Sequence, residues 1–119
     1  MRQKDKELLL NDLIARLPYG VRVDINGFDF EFNSTLFRIY KNIGFSFEDA
    51  NGIPHDIEAK PYLFPLSSMT EEQKEDMIKS SCGIGSEKNV FDWYNKNHFD
   101  YRGLIPMELA IDATGLNIY

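Results

Sequence analysis

The stretch Val21-Arg22-Val23-Asp24-Ile25-Asn26-Gly27-Phe28-Asp29-Phe30-Glu31-Phe32 decides the fold. Val21, Val23 and Ile25 alternate with Arg22 and Asp24, and Phe28, Phe30 and Phe32 alternate with Asp29 and Glu31. A period of two sends successive side chains to opposite faces of a strand. Asn26-Gly27 between the two runs marks a two-residue hairpin loop, because a type I′ turn needs positive φ at both central positions. Such a loop fixes the register: Ile25 faces Phe28, Val23 faces Phe30, and Val21 faces Phe32. All six apolar side chains then share one face, and that face needs cover. The other face sets Arg22 against Glu31, a favourable pair, and Asp24 against Asp29, an unfavourable one. The acidic pair reads either as two hydrated carboxylates or as a cation site.

Cover is expected from the segment just before it. Over residues 4–17, Leu10, Leu13, Ile14 and Leu17 recur at helical spacing with Leu9 beside them. Lys6, Asn11, Asp12 and Arg16 fall on the opposite side, read as solvated. Arg16 suits the carbonyl end of the helix, and Pro18 ends it.

Further along, residues 35–40 read as a third strand and 44–48 as a fourth. A turn at 49–52 leads into 53–57, where Pro54 permits only an edge strand or an extended loop. Lys60 to Leu66 is apolar and carries Pro61 and Pro65, so it should lie extended across the core rather than in a regular ladder. Thr70-Glu71-Glu72-Gln73 is a capping box opening a helix to about Ser80. Cys82-Gly83-Ile84-Gly85 breaks the chain, and Ser86 opens a helix through about Asn97. A single turn is expected at Met107–Ala113. The fold class is therefore α+β in one domain over 1–119. A small antiparallel sheet, the Asn-Gly hairpin plus one to three further strands, packs on an N-terminal helix, with two further helices in the C-terminal half.

Composition bounds the function. The 119 residues carry a net charge of −6. Residues 1–22 hold five Lys/Arg against three Asp/Glu, and the rest of the chain is acidic. Such a surface repels phosphate backbones and anionic membranes, so nucleic acid and membrane are not expected partners. Cys82 is the only cysteine, which rules out an intrachain disulfide and a multi-cysteine zinc site and fits a reducing cytoplasm. Leu8-Leu9-Leu10 is too short for a leader and runs into Asn11-Asp12, so no cleaved segment is expected.

No catalytic motif, cofactor site or metal-ligand spacing is recognisable. His55 and His98 stand far apart, and Cys82 has no activating neighbour beside it. Gly83-x-Gly85 before a helix lacks the remaining residues of a phosphate loop. The densest polar and aromatic cluster runs from Asp92 to Gly103. A catalytic reading makes His98 a general base oriented by Asp100. A binding reading makes Trp93, Tyr94, His98, Tyr101 and Arg102 anchors, since Trp, Tyr and Arg dominate interface energetics. A structural reading has His98 capping a helix and Arg102 paired with Asp92 or Asp100.

Three stretches carry a resemblance: Leu13 to Val21 (LIARLPYGV), Lys60 to Glu72 (KPYLFPLSSMTEE), and Asp92-Trp93-Tyr94 with His98 to Ile105 (HFDYRGLI). Together they resemble a group of small proteins from phages and prophage-like elements of gut anaerobic bacteria. That resemblance implies a cytoplasmic protein of a virus-derived gene set and carries over no catalytic residue. The preferred reading is a non-enzymatic protein acting through protein–protein contact, with another protein or with itself as a homodimer. The alternative is a small-ligand binder or hydrolase with a pocket near His98 and Arg102.

Overall fold

The computed structural model describes residues 3–25, 27–35, 38, 46–48, 50–52, 54–56, 59–80 and 86–119. Its fold class is α+β as expected, with an N-terminal helix and two helices in the C-terminal half, but the small sheet is mixed rather than antiparallel because one strand pair runs parallel. Two compact units divide the chain, residues 1–62 and 63–119.

The first unit opens with helix α1, Gln3–Arg16. The 3-10 turn Leu17–Tyr19 absorbs Pro18 and ends on Gly20 at φ 68°, a left-handed position that suits glycine. Strands β1 (Arg22–Ile25) and β2 (Phe28–Glu31) follow in the expected hairpin. Their register pairs Arg22 with Glu31, Val23 with Phe30, Asp24 with Asp29 and Ile25 with Phe28. Gly27 sits at φ 87°, as the tight turn requires; Asn26 lies outside the described residues.

The helix is rotated from its expected setting. Leu9, Asp12, Leu13 and Arg16 are buried, and Ile14, assigned to the apolar stripe, is 43% exposed. Polarity places Asp12 and Arg16 on the side facing solvent; instead they meet each other inside. The Arg16 Nε donates to Asp12 Oδ2 over 2.9 Å, so mutual neutralisation lets both enter the core. Among the described residues of this unit, Val21, Val23, Phe32, Ala59 and Pro61 are buried as well.

The proline-bracketed strip is also corrected. It forms strand β5, Ala59–Pro65, in a regular ladder. Residues 59–61 pair antiparallel with β1, setting Val23 against Pro61, Asp24 against Lys60 and Ile25 against Ala59. Pro61 is tolerated because of the side on which it falls. Val23 directs its N–H and C=O toward β2, so Val23 and Pro61 exchange no backbone bonds and the missing proline N–H costs β1 nothing.

Strands β3 (Ser46–Glu48) and β4 (Pro54–Asp56) make a separate antiparallel hairpin, as the turn signal and Pro54 imply. The strand expected over 35–40 lies mostly outside the described residues, and its described members Thr35 and Arg38 are helical rather than extended.

In the second unit, residues 63–65 of β5 meet two further strands. Phe64 and Pro65 pair in parallel with β6, Phe99–Asp100. β7 (Ile111–Asp112) also joins β5, followed by a bond from the Ala113 N–H to the Leu63 carbonyl. The single turn expected over Met107–Ala113 falls earlier, bonding Leu104 and Ile105 to Leu109 and Glu108. Helix α2 spans Glu71–Ser80 and α3 spans Ser86–Lys96. The capping box is formed in both directions: the Thr70 N–H reaches Gln73 Oε1 at 2.8 Å, and the Gln73 N–H reaches Thr70 Oγ1 at 3.1 Å. Leu63, Trp93, Phe99, Leu104, Leu109 and Ala113 are buried. Among the described residues, no helix is long and apolar enough to cross a membrane.

Candidate functional site: an aromatic and arginine surface

The cluster from Asp92 to Gly103 spans the end of α3, a sharp reversal and β6. His98 makes the reversal: it takes φ 64°, a left-handed residue ending the helix. The Asn97 N–H bonds the Trp93 carbonyl and the His98 N–H bonds that of Asn95. The His98 carbonyl then accepts from the Phe64 N–H at 2.8 Å, fixing where β6 begins. The returning chain lays Tyr101 back along α3, where Phe91 and Tyr94 stand three residues apart on one face.

Aromatic contacts run through the whole unit. Phe91 meets Tyr101 at 5.2 Å between ring centres, and Tyr101 stacks on Tyr94 at 5.6 Å. Tyr94 abuts Trp93 edge-on, and Trp93 stacks on Phe99 at 5.5 Å, within 10° of parallel. Phe99 touches Phe64, Phe64 touches Tyr119, and Tyr119 lies flat on the His98 imidazole at 3.7 Å. Each such pair contributes about 0.5–1.5 kcal/mol beyond area burial.

The five residues expected to bind therefore separate by position. Trp93 is buried, and its indole N–H is spent on Asp76 Oδ2 at 2.8 Å, tying α2 to α3. His98 is stacked against Tyr119. Tyr94, Tyr101 and Arg102 are half-buried and share one surface with Phe91, which is 48% exposed and was not singled out from the sequence. Its signal was the spacing Phe91, Tyr94, with Tyr101 beyond the helix end. Arg102 places Nη2 at 2.9 Å from the Tyr101 hydroxyl, with its guanidinium carbon 4.9 Å from that ring's centre.

Asp100 neither orients His98 nor pairs with Arg102 through the bonds it makes. Its buried carboxylate accepts the Leu104 and Ile105 N–H groups, each at 2.9 Å, and so holds the turn around Gly103. Nearby, Asp112 accepts the Thr114 N–H at 2.9 Å. Hydrogen bonds from Thr114 hold its carboxyl below the usual carboxylate range.

At two places among the described residues this unit is indented away from His98, Tyr101 and Arg102. One, of about 420 Å³, lies between α2 and α3, bordered by Glu72, Glu75, Asp76, Lys79 and Trp93. The other, of about 210 Å³, is bordered by Phe64, Ser68, Thr70 and Gly115. Among the described residues no group of His, Cys, Asp or Glu could hold a metal ion. Cys82 and the Gly83-x-Gly85 loop lie outside the described residues.

In the first unit, the polar face of the hairpin explains its acidic pair. Arg22 turns diagonally from Glu31 and clasps Asp29, its Nε 2.9 and 3.1 Å from the two carboxylate oxygens. The side chain supplies the cation that the Asp24–Asp29 pair calls for. Tyr62, beside Arg22 on β5, has its phenol pushed up by burial first and then by Asp24 and Asp29, with Arg22 opposing.

Set against protein-family models, curated proteins and solved structures, the chain gives no significant match.

Proposed function

We propose that the chain is a non-enzymatic binding protein whose partner is another protein, engaged by Phe91, Tyr94, Tyr101 and Arg102. One observation carries this reading: Tyr101 is clasped between Phe91, Tyr94 and Arg102 while that group remains partly open to water. Tyrosine and arginine are the residue types that concentrate binding energy. Rings already stacked lose little freedom on docking, so more of the contact energy survives as affinity. A ligand-pocket reading would need His98 and Arg102 to converge on a cavity, whereas each lies against an aromatic ring. The resemblance to phage and prophage-element proteins supports a setting among virus-derived genes acting in the cytoplasm as part of this proposal. Replacing Tyr101 or Arg102 with alanine should reduce partner capture about tenfold or more while leaving helix content unchanged, which circular dichroism measures.

A further inference from the structure

The hairpin offers a second surface, independent of the aromatic one. Among the described residues, no strand pairs with the outer edge of β2. The closing pair Ile25–Phe28 and the bond from the Phe32 N–H to the Val21 carbonyl set the alternation. Phe28 and Phe30 therefore spend their backbone groups on β1, and Asp29 and Glu31 direct theirs outward. Phe28 is 69% exposed and Phe30 is 45% exposed on the apolar face, while Asp29 and Glu31 stand exposed on the other. An open edge with large apolar side chains is a template for one more strand.

Charge decides which strand. A second copy of β2 fits badly: antiparallel pairing of Phe30 on Phe30 sets Glu31 against Asp29 twice, four carboxylates against the two Arg22 side chains that already clasp Asp29. Each copy also carries a net charge of −6. We propose that the β2 edge binds an extended segment of a partner protein in which apolar residues alternate with Lys or Arg. The apolar side chains lie along Phe28 and Phe30, and a cation of the partner meets Glu31, since Arg22 already clasps both oxygens of Asp29.

The test is a titration of the full chain with a labelled peptide of alternating Val and Lys, followed by fluorescence anisotropy and backbone amide NMR. Saturable binding is expected, with the largest shifts at 28–31 and weakening as salt rises. Glu31→Lys should weaken it about tenfold, Glu31→Gln less, and Phe28→Ser also weakens it. Glu75→Lys, an equal change of charge on α2, should leave it unaltered. No binding, equal binding of an alternating Val/Glu peptide or of a Val/Lys peptide with its charges blocked together, or equal loss in Glu75→Lys would overturn the proposal. So would sedimentation showing a dimer that Phe28→Ser dissolves, since the occupant would then be a second copy.

Discussion

Arg16 donates from Nε to Oδ2 of Asp12 across 2.9 Å, one helical turn apart, and neither side chain touches water. Two charges enclosed this way cost several kcal/mol of hydration each, which their attraction offsets only while both remain. Asp12→Ala should therefore destabilise the protein by about 3–5 kcal/mol. Replacing the two together with leucine and methionine should cost far less. Urea unfolding, read by the midpoint at constant slope, distinguishes the two outcomes.

That pair also marks where sequence reading stops. The Asn-Gly hairpin, its register and the capping box at Thr70 were legible because each is set by neighbours a few residues apart. The rotation of α1 was not, since polarity alone assigns Asp12 and Arg16 to solvent and says nothing of their pairing. Pro61 misled for a related reason: a proline forbids a ladder only where its N–H would be used, and that depends on register with a distant strand. At the candidate surface, Tyr94, Tyr101 and Arg102 were visible as residue types. Which of the aromatics would be buried depended on the left-handed turn at His98, for which no glycine gave warning.

The bond from the Trp93 indole to Asp76 joins the two C-terminal helices. Asp76→Ala should lower stability by about 1–2 kcal/mol, and Asp76→Asn, which keeps an acceptor, by less. The single tryptophan gives a direct readout: its indole N–H should exchange faster with deuterium in Asp76→Ala.

Asp100 holds two backbone N–H groups with one carboxylate. Asp100→Ala strands both and should cost about 2 kcal/mol or more. Amide exchange at Leu104 and Ile105 should accelerate ahead of the rest of the chain. Unchanged protection at those two amides would remove Asp100 from this role.

Tyr62 links stability to alkaline pH. Its phenol is held above the ordinary value by burial and by Asp24 and Asp29, so the folded state favours the protonated form. That contribution is complete below the unfolded value of about 10 and is lost as pH rises through the raised one. Unfolding of wild type and Tyr62→Phe compared across that window should show the steeper loss in wild type. Absorbance titration should show one fewer late-ionising tyrosine in the variant.

The central claim is that Tyr101 and Arg102 belong to a protein-binding surface. Affinity capture from the cells that encode the chain tests it most directly, with quantitative recovery by wild type, Tyr101→Ala, Arg102→Ala and Glu75→Gln. The account predicts one stoichiometric protein partner, retained by wild type and Glu75→Gln and reduced about tenfold or more by each of the other two. Equal recovery by all four, or no stoichiometric partner with any of them, would contradict it.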